Sequence, residues 1–382
     1  MKKVTVVLTI SDLEFGGAQR QVIELTNNID LQKFDIYICS LSDYVPLAQS
    51  LAQPEKLKII KREKRFDISV IIKLTKFLKA VKADIVHAFL FDATIASRIA
   101  GKLSNTLVIS SERNTNYSFK KIELAAYYLT KKFNDYTIAN SWAGAKFNSR
   151  VLRQPISTYR VVYNGVNIQR FKPVNQEKIQ YMRSKLGIPN GKKVVGMFAS
   201  FKPQKNHKFF IKAASKIKQH YPDVVFMFVG DMLYKGMSGS VETKEKINNL
   251  IKTAGIEEDC LFLGNKENVE DYYPICCLTV LPSLFEGTPN VALESMACGV
   301  PVVATDVSDN AKLIPHGKVG YIVELNDETS LIKSICKILN DNDLRQKFSF
   351  NARRWIEKNF SSEKMASAMA TTYLDLLKQH SQ

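Results

Sequence analysis

Short apolar runs of strand length alternate with amphipathic stretches along this chain, and that alternation confines it to an α/β architecture on parallel strands. A parallel strand is covered by helices on both faces, so it reads as a continuous apolar run. The pattern predicts strands at 4–9, 35–39, 85–88, 106–110, 136–139 and 160–162. A break follows. Tyr163-Asn164-Gly165-Val166-Asn167 contains a turn dipeptide, Phe171-Lys172-Pro173 comes next, and the polar stretch up to Lys193 carries Gly187, Pro189 and Gly191. A second α/β unit is predicted from strands at 193–198, 224–229, 260–263, 278–281 and 301–305. With 382 residues the chain is long enough for two cores. The expected division is 1–170 and 171–362, with an amphipathic helix in the closing segment 363–382.

No apolar run reaches the roughly 20 residues that span a bilayer. The start, Met1-Lys2-Lys3 and then Val4 to Ile10, has the outline of a signal peptide, but its apolar core is short. It runs on into Asp12, Glu14 and a glycine pair, so it reads as the first parallel strand. Apart from Cys276-Cys277 the six cysteines are scattered, in apolar company and without CxxC spacing. That is the usage of reduced cytoplasmic thiols rather than of a disulfide or zinc framework. The formal net charge of +17 is uneven: residues 1–170 hold 26 Lys and Arg against 14 Asp and Glu, the rest 28 against 23. An acidic partner is therefore expected on the first half.

The densest chemistry lies in Phe285-Glu286-Gly287-Thr288-Pro289-Asn290-Val291-Ala292-Leu293-Glu294-Ser295-Met296-Ala297-Cys298-Gly299-Val300-Pro301. Two carboxylates bracket a Gly/Pro turn and the start of a short apolar helix. Asn290 is the expected cap, Gly299 the stop, and Pro301 opens the run Val302-Val303-Ala304. Glu286 then lies on a loop, and Glu294 about one turn inside the helix. Ionised carboxylates only accept hydrogen bonds, and the vicinal hydroxyls of a ribose or a sugar ring supply paired donors. A helix N-terminus beside them suits a phosphate or a polar sugar. The segment reads as a nucleotide-sugar cradle; the plainer alternative is a helix cap with a solvated acidic face.

The string Glu-Gly-x-x-Asn-x-x-x-Glu-x-Met-Ala-x-Gly-x-Pro-Val-Val-Ala-Thr closely resembles the donor-binding signature of the family 4 (group 1) glycosyltransferases. The resemblance implies a retaining enzyme of the GT-B fold: two Rossmann-like doubly wound parallel-sheet domains facing across a cleft, with a C-terminal helix crossing back to the first. It gives Glu286 the donor sugar and Glu294 the nucleotide ribose, with Gly287, Thr288, Pro289, Asn290 and Val291 in the donor site. The Asn-Gly-Val-Asn and Phe-x-Pro elements resemble the family's interdomain junction. Ser11-Asp12-Leu13-Glu14-Phe15-Gly16-Gly17-Ala18-Gln19-Arg20 resembles its N-terminal loop, which closes on the donor diphosphate and the acceptor. Read from the residues alone, Gly16 and Gly17 form a strand-to-helix turn that lets backbone approach a pyrophosphate. They do not form the dinucleotide GxGxxG fingerprint, which argues against a nicotinamide enzyme.

Ala199-Ser200-Phe201-Lys202-Pro203-Gln204-Lys205-Asn206-His207 follows the first strand of the second unit. Lys205 matches the family lysine that neutralises the leaving diphosphate, a cation the chemistry requires as negative charge builds. The family's usual arginine five residues earlier is replaced by Ser200, and Lys202 is the candidate second cation. On the acceptor side the candidates are His87, in Asp84-Ile85-Val86-His87-Ala88-Phe89, with a core or hydrogen-bonded histidine as the alternative, and Glu112, in Ser110-Ser111-Glu112-Arg113-Asn114, with an ordinary Glu–Arg surface pair as the alternative. A carboxylate beside Arg113 is expected to stay ionised and to accept the acceptor's hydroxyl proton. In the front-face mechanism attributed to such enzymes the leaving phosphate can take that proton itself.

Asp341-Asn342-Asp343 imitates an acidic metal motif but precedes an amphipathic helix with Leu344, Phe348 and Trp355, and no metal or other cofactor is expected. Glu286 and Glu294 sit on one wall, unlike the flanking pair of a glycosidase. Over 68–82 the residues Ile68, Ile71, Ile72, Leu74, Phe77, Leu78 and Val81 fall mostly on one helical face, with Lys73, Lys76, Lys79 and Lys82 elsewhere. Lys58, Lys61, Arg62, Lys64 and Arg65 precede it, and Phe119-Lys120-Lys121, Tyr127-Tyr128-Leu129 and Lys131-Lys132 add a second basic-aromatic segment. Such a surface suits an anionic membrane, with a core-facing stripe as the alternative.

The reading that joins these features is a transferase that moves a hexose or N-acetylhexosamine from a nucleoside diphosphate sugar, a UDP-sugar, to a saccharide acceptor. The acceptor implied is lipid-linked, in bacterial surface polysaccharide biosynthesis, on a cytoplasmic protein peripheral to the inner membrane face. A GT-B nucleotide-sugar epimerase is the alternative, and a non-catalytic basic protein that binds nucleic acid a more distant one.

Overall fold

The computed structural model describes residues 2–64, 67–113, 120–231 and 240–380, with side chains in the last stretch from 245 onward. Arg65, Asn114 and Phe119 of the segments above lie outside the described residues. Two compact units form, one from Met1–Gly165 with Ser361–Gln382 and one from Val166–Phe360. The first division falls five residues before the expected 170/171 and the second two before 362/363.

The first unit carries a seven-stranded sheet of β1 (Val4–Ile10), β2 (Phe34–Ser40), β3 (Leu57–Ile59), β4 (Ile85–Phe89), β5 (Leu107–Glu112), β6 (Tyr136–Ala139) and β7 (Tyr159–Val161). Its order is β3-β2-β1-β4-β5-β6-β7 and every neighbouring pair is parallel. The helices between the strands are α1 (Gly17–Asn28), α2 (Ile68–Ala80), α3 (Phe91–Ser104), α4 (Lys121–Thr130) and α5 (Trp142–Val151). Alternate strand residues divide between the two faces. Val6, Leu8, Ile10, Ile36, Ile85 and Ile109 pack with α1 and with Met365, Met369, Tyr373 and Leu376 of the closing helix Ser362–His380. Val7, Cys39, Val86 and Val108 pack with Val70, Leu74 and Leu78 of α2 and Ala93, Ala96 and Ala100 of α3.

Helix α2 differs from the expected stripe. Val70, Leu74 and Leu78 are its buried row, whereas Ile68 is 71% exposed and Ile72 52%. At 100° per residue the row 70-74-78 turns those two isoleucines off the sheet. Asp67 caps the helix by accepting from Ser69 N, at 3.0 Å.

The second unit carries β8 (Lys193–Phe198), β9 (Val224–Val229), β10 (Cys260–Phe262), β11 (Leu278–Leu281), β12 (Val302–Thr305) and β13 (Gly320–Val323) in the order β10-β9-β8-β11-β12-β13, again parallel throughout. Its helices are α6 (Gln176–Lys185), α7 (His207–His220), α8 (Ser240–Ala254), α9 (Asn290–Ala297), α10 (Asn310–Leu313), α11 (Glu328–Asn340) and α12 (Asn342–Asn359), and the closing helix of the first unit is α13. Phe210, Ile217, Phe226, Val280, Val303, Leu331 and Ile338 lie in its core. Strand β12 starts one residue later than expected because Pro301 has no N–H to give; its carbonyl accepts from Thr279 N at 2.9 Å. Asp341 caps α12 by accepting from Leu344 N at 2.9 Å, a structural use for the acid that opens the metal-like triplet. Edge strands β3 and β13 were not predicted.

In each sheet the strand order reverses at one place, between β1 and β4 in the first and between β8 and β11 in the second. Crevices outside the carboxyl ends of strands at such a reversal are where doubly wound sheets hold ligands.

Helix α13 docks through a row spaced for one face, Met365, Met369, Tyr373 and Leu376, each 6% exposed or less. Burial of that row stabilises its seat by roughly 1.5–3 kcal/mol per large side chain. One polar contact lies inside it: the Tyr373 hydroxyl and His87 Nδ1 are 2.7 Å apart, both fully buried. Removing one partner strands the other in the core. Tyr373→Phe should therefore lower unfolding stability by about 1–3 kcal/mol in urea titration; a midpoint equal to wild type would show that the contact contributes nothing.

Candidate functional site

Three loops leave the carboxyl edge of the second sheet around its reversal, after β8, β11 and β12. The first contains Lys202 and a short turn at Pro203–Lys205 that ends in Asn206, left-handed at φ 51°. Asparagine tolerates that region, and α7 starts at the next residue. The loop after β11 holds Glu286, Gly287, Thr288 and Pro289, all buried, and delivers the chain into α9. Glu286 is 5% and Glu294 8% exposed. A loop this buried must have its polar groups partnered, and side chains do much of that work. Gln204 Nε2 donates to Phe285 O at 2.7 Å, and Leu284 N donates to Gln204 O at 2.8 Å. From the third loop, the Ser308 hydroxyl accepts from Glu286 N at 3.0 Å and donates to Glu286 O at 2.6 Å.

The central contact is an ion pair. Lys205 Nζ lies 2.6 Å from Glu286 Oε1, with side chains only 18% and 7% exposed. Lys202 stands in the same field. Its pKa is lowered by burial first and by the Lys205 charge second, with Glu286 opposing. At the start of α7, His207 is 3% exposed, stacks on Phe201 at 5.0 Å and is pushed down to about 4 by burial and by Lys205, so it is neutral near pH 7. Inside α9, Glu294 Oε2 accepts from the buried Tyr273 hydroxyl at 2.7 Å, and Tyr273 is stacked on Phe198 at 3.9 Å.

One detail differs from the sequence reading. Asn290 is the first helical residue of α9 rather than its cap; Pro289 holds the boundary and its carbonyl accepts from Ala292 N at 3.1 Å. Gly299 follows the helix at φ 72°, as a stop position needs. Lys202, Lys205, Glu286, Gly287, Thr288, Pro289, Asn290, Val291 and Glu294 thus belong to one edge of one sheet. An ammonium has three donors and a carboxylate about four acceptor sites. The Lys205–Glu286 pair can therefore hold an anion on one side and hydroxyl donors on the other. Tyr273, Gln204 and Ser308 were not singled out from sequence. Gln204 lies inside the quoted lysine loop, and Ser308 in the polar run Asp306-Val307-Ser308-Asp309-Asn310, itself a turn signal.

The remaining candidates lie in the first unit. Gly16 sits at the boundary and Gly17 at the first position of α1, after β1. There Asp12 Oδ1 accepts from Gln19 Nε2 at 2.7 Å and from Glu14 N at 3.1 Å. His87 lies within β4, paired to Leu8 and Ile109, with no exposed surface. Burial, helped by Arg113, lowers its pKa to about 3. It stands in the core against α13, the alternative of the two readings open for it, rather than on an acceptor.

Glu112 also departs from expectation. It closes β5 at 7% exposed and accepts from Asn148 Nδ2 at 3.3 Å. Arg113 turns elsewhere, to Asn164 Oδ1 at 2.5 Å. Burial pushes the Glu112 carboxyl up to about 7, and the cation that opposes this is Arg98. The carboxylate is therefore not held ionised by its sequence neighbour: Arg113 lies just past the end of β5 with its guanidinium on Asn164, and burial outweighs the one cation that Glu112 senses, Arg98.

Two family models match this chain, "Glycosyltransferase Family 4" over residues 15–170 and "Glycosyl transferases group 1" over residues 178–355. The chain belongs to the family 4, or group 1, glycosyltransferases. It is 26% identical over 382 residues, 95% of this chain and 94% of the relative, to the UDP-Gal:alpha-D-GlcNAc-diphosphoundecaprenol alpha-1,3-galactosyltransferase of Escherichia coli. It is 30% identical over 229 residues to the N-acetyl-alpha-D-glucosaminyl L-malate synthase of Bacillus anthracis, covering 59% of this chain and 56% of that one. Among solved structures, Anabaena Alr3699/HepE in complex with UDP superposes with a TM-score of 0.84 at 21% identity, covering 97% of this chain and 100% of that chain. This glycosyltransferase therefore has the GT-B fold, and α13, returning to the first unit, is the crossing helix that the fold implies.

Glu112 gives this glycosyltransferase a pH signature. An unfolded glutamate titrates near about 4.3, whereas the folded carboxyl holds its proton up to about 7. As pH rises through that window the folded chain keeps a proton that the unfolded chain has released, so stability falls. The loss is complete above the folded value, at a cost on the order of 3 kcal/mol. Glu112→Gln lacks this titration and should gain on wild type in urea midpoint from about pH 5 to about pH 8. A difference that stays constant across the two conditions would contradict the assignment.

Proposed function

We propose that this glycosyltransferase moves a hexose or N-acetylhexosamine, with retention of configuration, from a UDP-sugar to a lipid-linked saccharide during assembly of a bacterial surface polysaccharide. The observation that carries the reading is the largely buried Lys205–Glu286 pair beside Glu294 at the reversal of the second sheet. In this reading Glu294 accepts from the ribose hydroxyls and Glu286 from the sugar, while Lys205 faces the diphosphate. Lys202 supplies the second cation where Ser200 replaces the usual arginine. The bond from sugar C1 to the diphosphate oxygen breaks as the acceptor oxygen approaches the same face. A new C1–O bond forms, and the acceptor's proton passes to the departing phosphate. Charge grows on the diphosphate in the transition state, and a lysine already fixed in place stabilises it without reorganising. With the phosphate as base, neither His87 nor Glu112 is needed to take that proton.

The E. coli relative is named for a UDP-sugar donor and a diphosphoundecaprenol-linked acceptor, and HepE is described in complex with UDP-glucose; both support the donor and acceptor classes proposed. Among the described residues no helix is long and apolar enough to cross a membrane. Peripheral attachment would instead use the exposed Ile68 and Ile72 of α2 with Lys73, Lys76 and Lys79 on the same helix.

The deciding experiment is a thermal-shift series with UDP, GDP and ADP on wild type and on Glu294→Gln, a change that leaves Tyr273 an acceptor. A ligand at 100 times its Kd adds about 2.7 kcal/mol to stability. UDP should raise the melting temperature of wild type and do so much less for the variant; equal shifts would remove Glu294 from the nucleotide site. In sedimentation with phosphatidylglycerol vesicles, wild type should pellet and Ile72→Glu should stay in the supernatant. Equal pelleting would exclude α2 as the attachment helix.

A further inference from the structure

Ser308 has a left-handed backbone, with φ at 55°. That conformation costs a non-glycine L-residue roughly 1–2 kcal/mol, and glycine adopts it freely. What serine adds there is a hydroxyl, and the hydroxyl is fully engaged: it accepts from Glu286 N at 3.0 Å and donates to Glu286 O at 2.6 Å. One hydroxyl thus clasps both polar groups of a single residue's backbone, 22 positions away along the chain.

The base of the clasp is itself cross-linked by hydrogen bonds. Thr305 Oγ1, at the end of β12, donates to Ser283 O at 2.6 Å; Asn310 Nδ2 donates to Thr305 O at 3.0 Å; and Asn310 N donates to Val307 O at 3.1 Å. From the other side Gln204 holds the Phe285 carbonyl. Residues 285 and 286 are therefore pinned between the loops after β8 and β12, and the residue whose own backbone Ser308 holds carries the carboxylate paired with Lys205.

We infer that Ser308 is the positioning residue for Glu286, fixing where that carboxylate stands against the donor sugar. The inference rests on the donor-site reading above and deepens it. Ser308 touches no reacting atom in this scheme; it acts through Glu286. Misplacing a positioned group by about 1 Å can cost on the order of a hundredfold in rate.

The test uses Ser308→Gly, which removes the hydroxyl while relaxing the backbone, beside Ser308→Ala, Glu286→Gln and the double variant Ser308→Gly/Glu286→Gln. Two quantities are read: the Kd for UDP by calorimetry, and the rate of UDP release from whichever of UDP-glucose, UDP-galactose and UDP-N-acetylglucosamine wild type turns over fastest. Positioning predicts that Ser308→Gly keeps its melting temperature and binds UDP within about twofold of wild type, but releases UDP about ten- to a hundredfold more slowly. In the Glu286→Gln background the same change should add almost nothing, since residues acting as a unit are not additive. Turnover at the wild-type rate in Ser308→Gly overturns the proposal. So does a loss that follows UDP affinity or melting temperature, or one that multiplies with Glu286→Gln. Wild-type turnover in Glu286→Gln removes the donor-site reading itself, and the positioning role with it.

Discussion

Burying a carboxylate is costly unless a cation is held against it and its surroundings are hydrogen-bonded. At the reversal of the second sheet that condition organises three loops at once. Lys205 comes from the loop after β8 and meets Glu286, from the loop after β11, at 2.6 Å. Gln204 and Ser308 tie the backbone around that carboxylate to the loops on either side. The arrangement exposes little of either charged group, yet both are multivalent hydrogen-bonding partners. A ligand offering an anion and hydroxyls would find partners already oriented and would spend little on ordering them.

Much of this was legible in the chain. Continuous apolar runs announced eleven of the thirteen strands, because a strand covered on both faces must be apolar throughout. The two omitted, Leu57–Ile59 and Gly320–Val323, are short edge strands whose residues carry too little pattern to separate from loop. The donor segment was legible because its chemistry is contiguous: Glu286 and Glu294 are separated by one turn and one short helix. Tyr273 and Ser308 were not, since each reaches its carboxylate-bearing residue across 21 or 22 positions of chain. Nothing in local spacing marks a partner brought in by sheet order. The Glu112–Arg113 pairing failed for the opposite reason. Arg113 lies one residue past β5 and its guanidinium is taken by Asn164, 51 positions away, so closeness in sequence did not become contact.

The first unit shows what burial does with charge. Arg98 on α3 is 1% exposed and donates to Ser110 Oγ at 3.1 Å, to Thr130 Oγ1 at 3.3 Å and to the Tyr127 carbonyl at 3.4 Å, with its guanidinium 5.0 Å from the Tyr127 ring centroid. Glu112 lies on the same face of β5 as Ser110, and each senses the other's charge. Burial nonetheless dominates both groups, lowering the pKa of Arg98 and raising that of Glu112. A buried pair without a direct salt bridge is a weak source of stability. Its effect is to make this region sensitive to proton activity near neutrality.

The first six strands of the first sheet follow the same order as the six of the second and reverse at the same relative place, yet the chemistry at that place differs. In the second, the strand ends lead into a lysine and two carboxylates, one paired with the lysine and the other accepting from Tyr273, which precedes β11. In the first, β1 leads into Gly16 and Gly17, and the histidine of β4 is turned into the core against α13. Strand order supplies a crevice, but the residues at the strand ends decide what it can hold. The second edge is specified by side chains tied to one another. After β1 in the first unit the chain keeps two glycines, with Asp12 and Gln19 bonded to each other and Gln19 closed over Gly16, where a Cβ would meet its Oε1 at 2.2 Å.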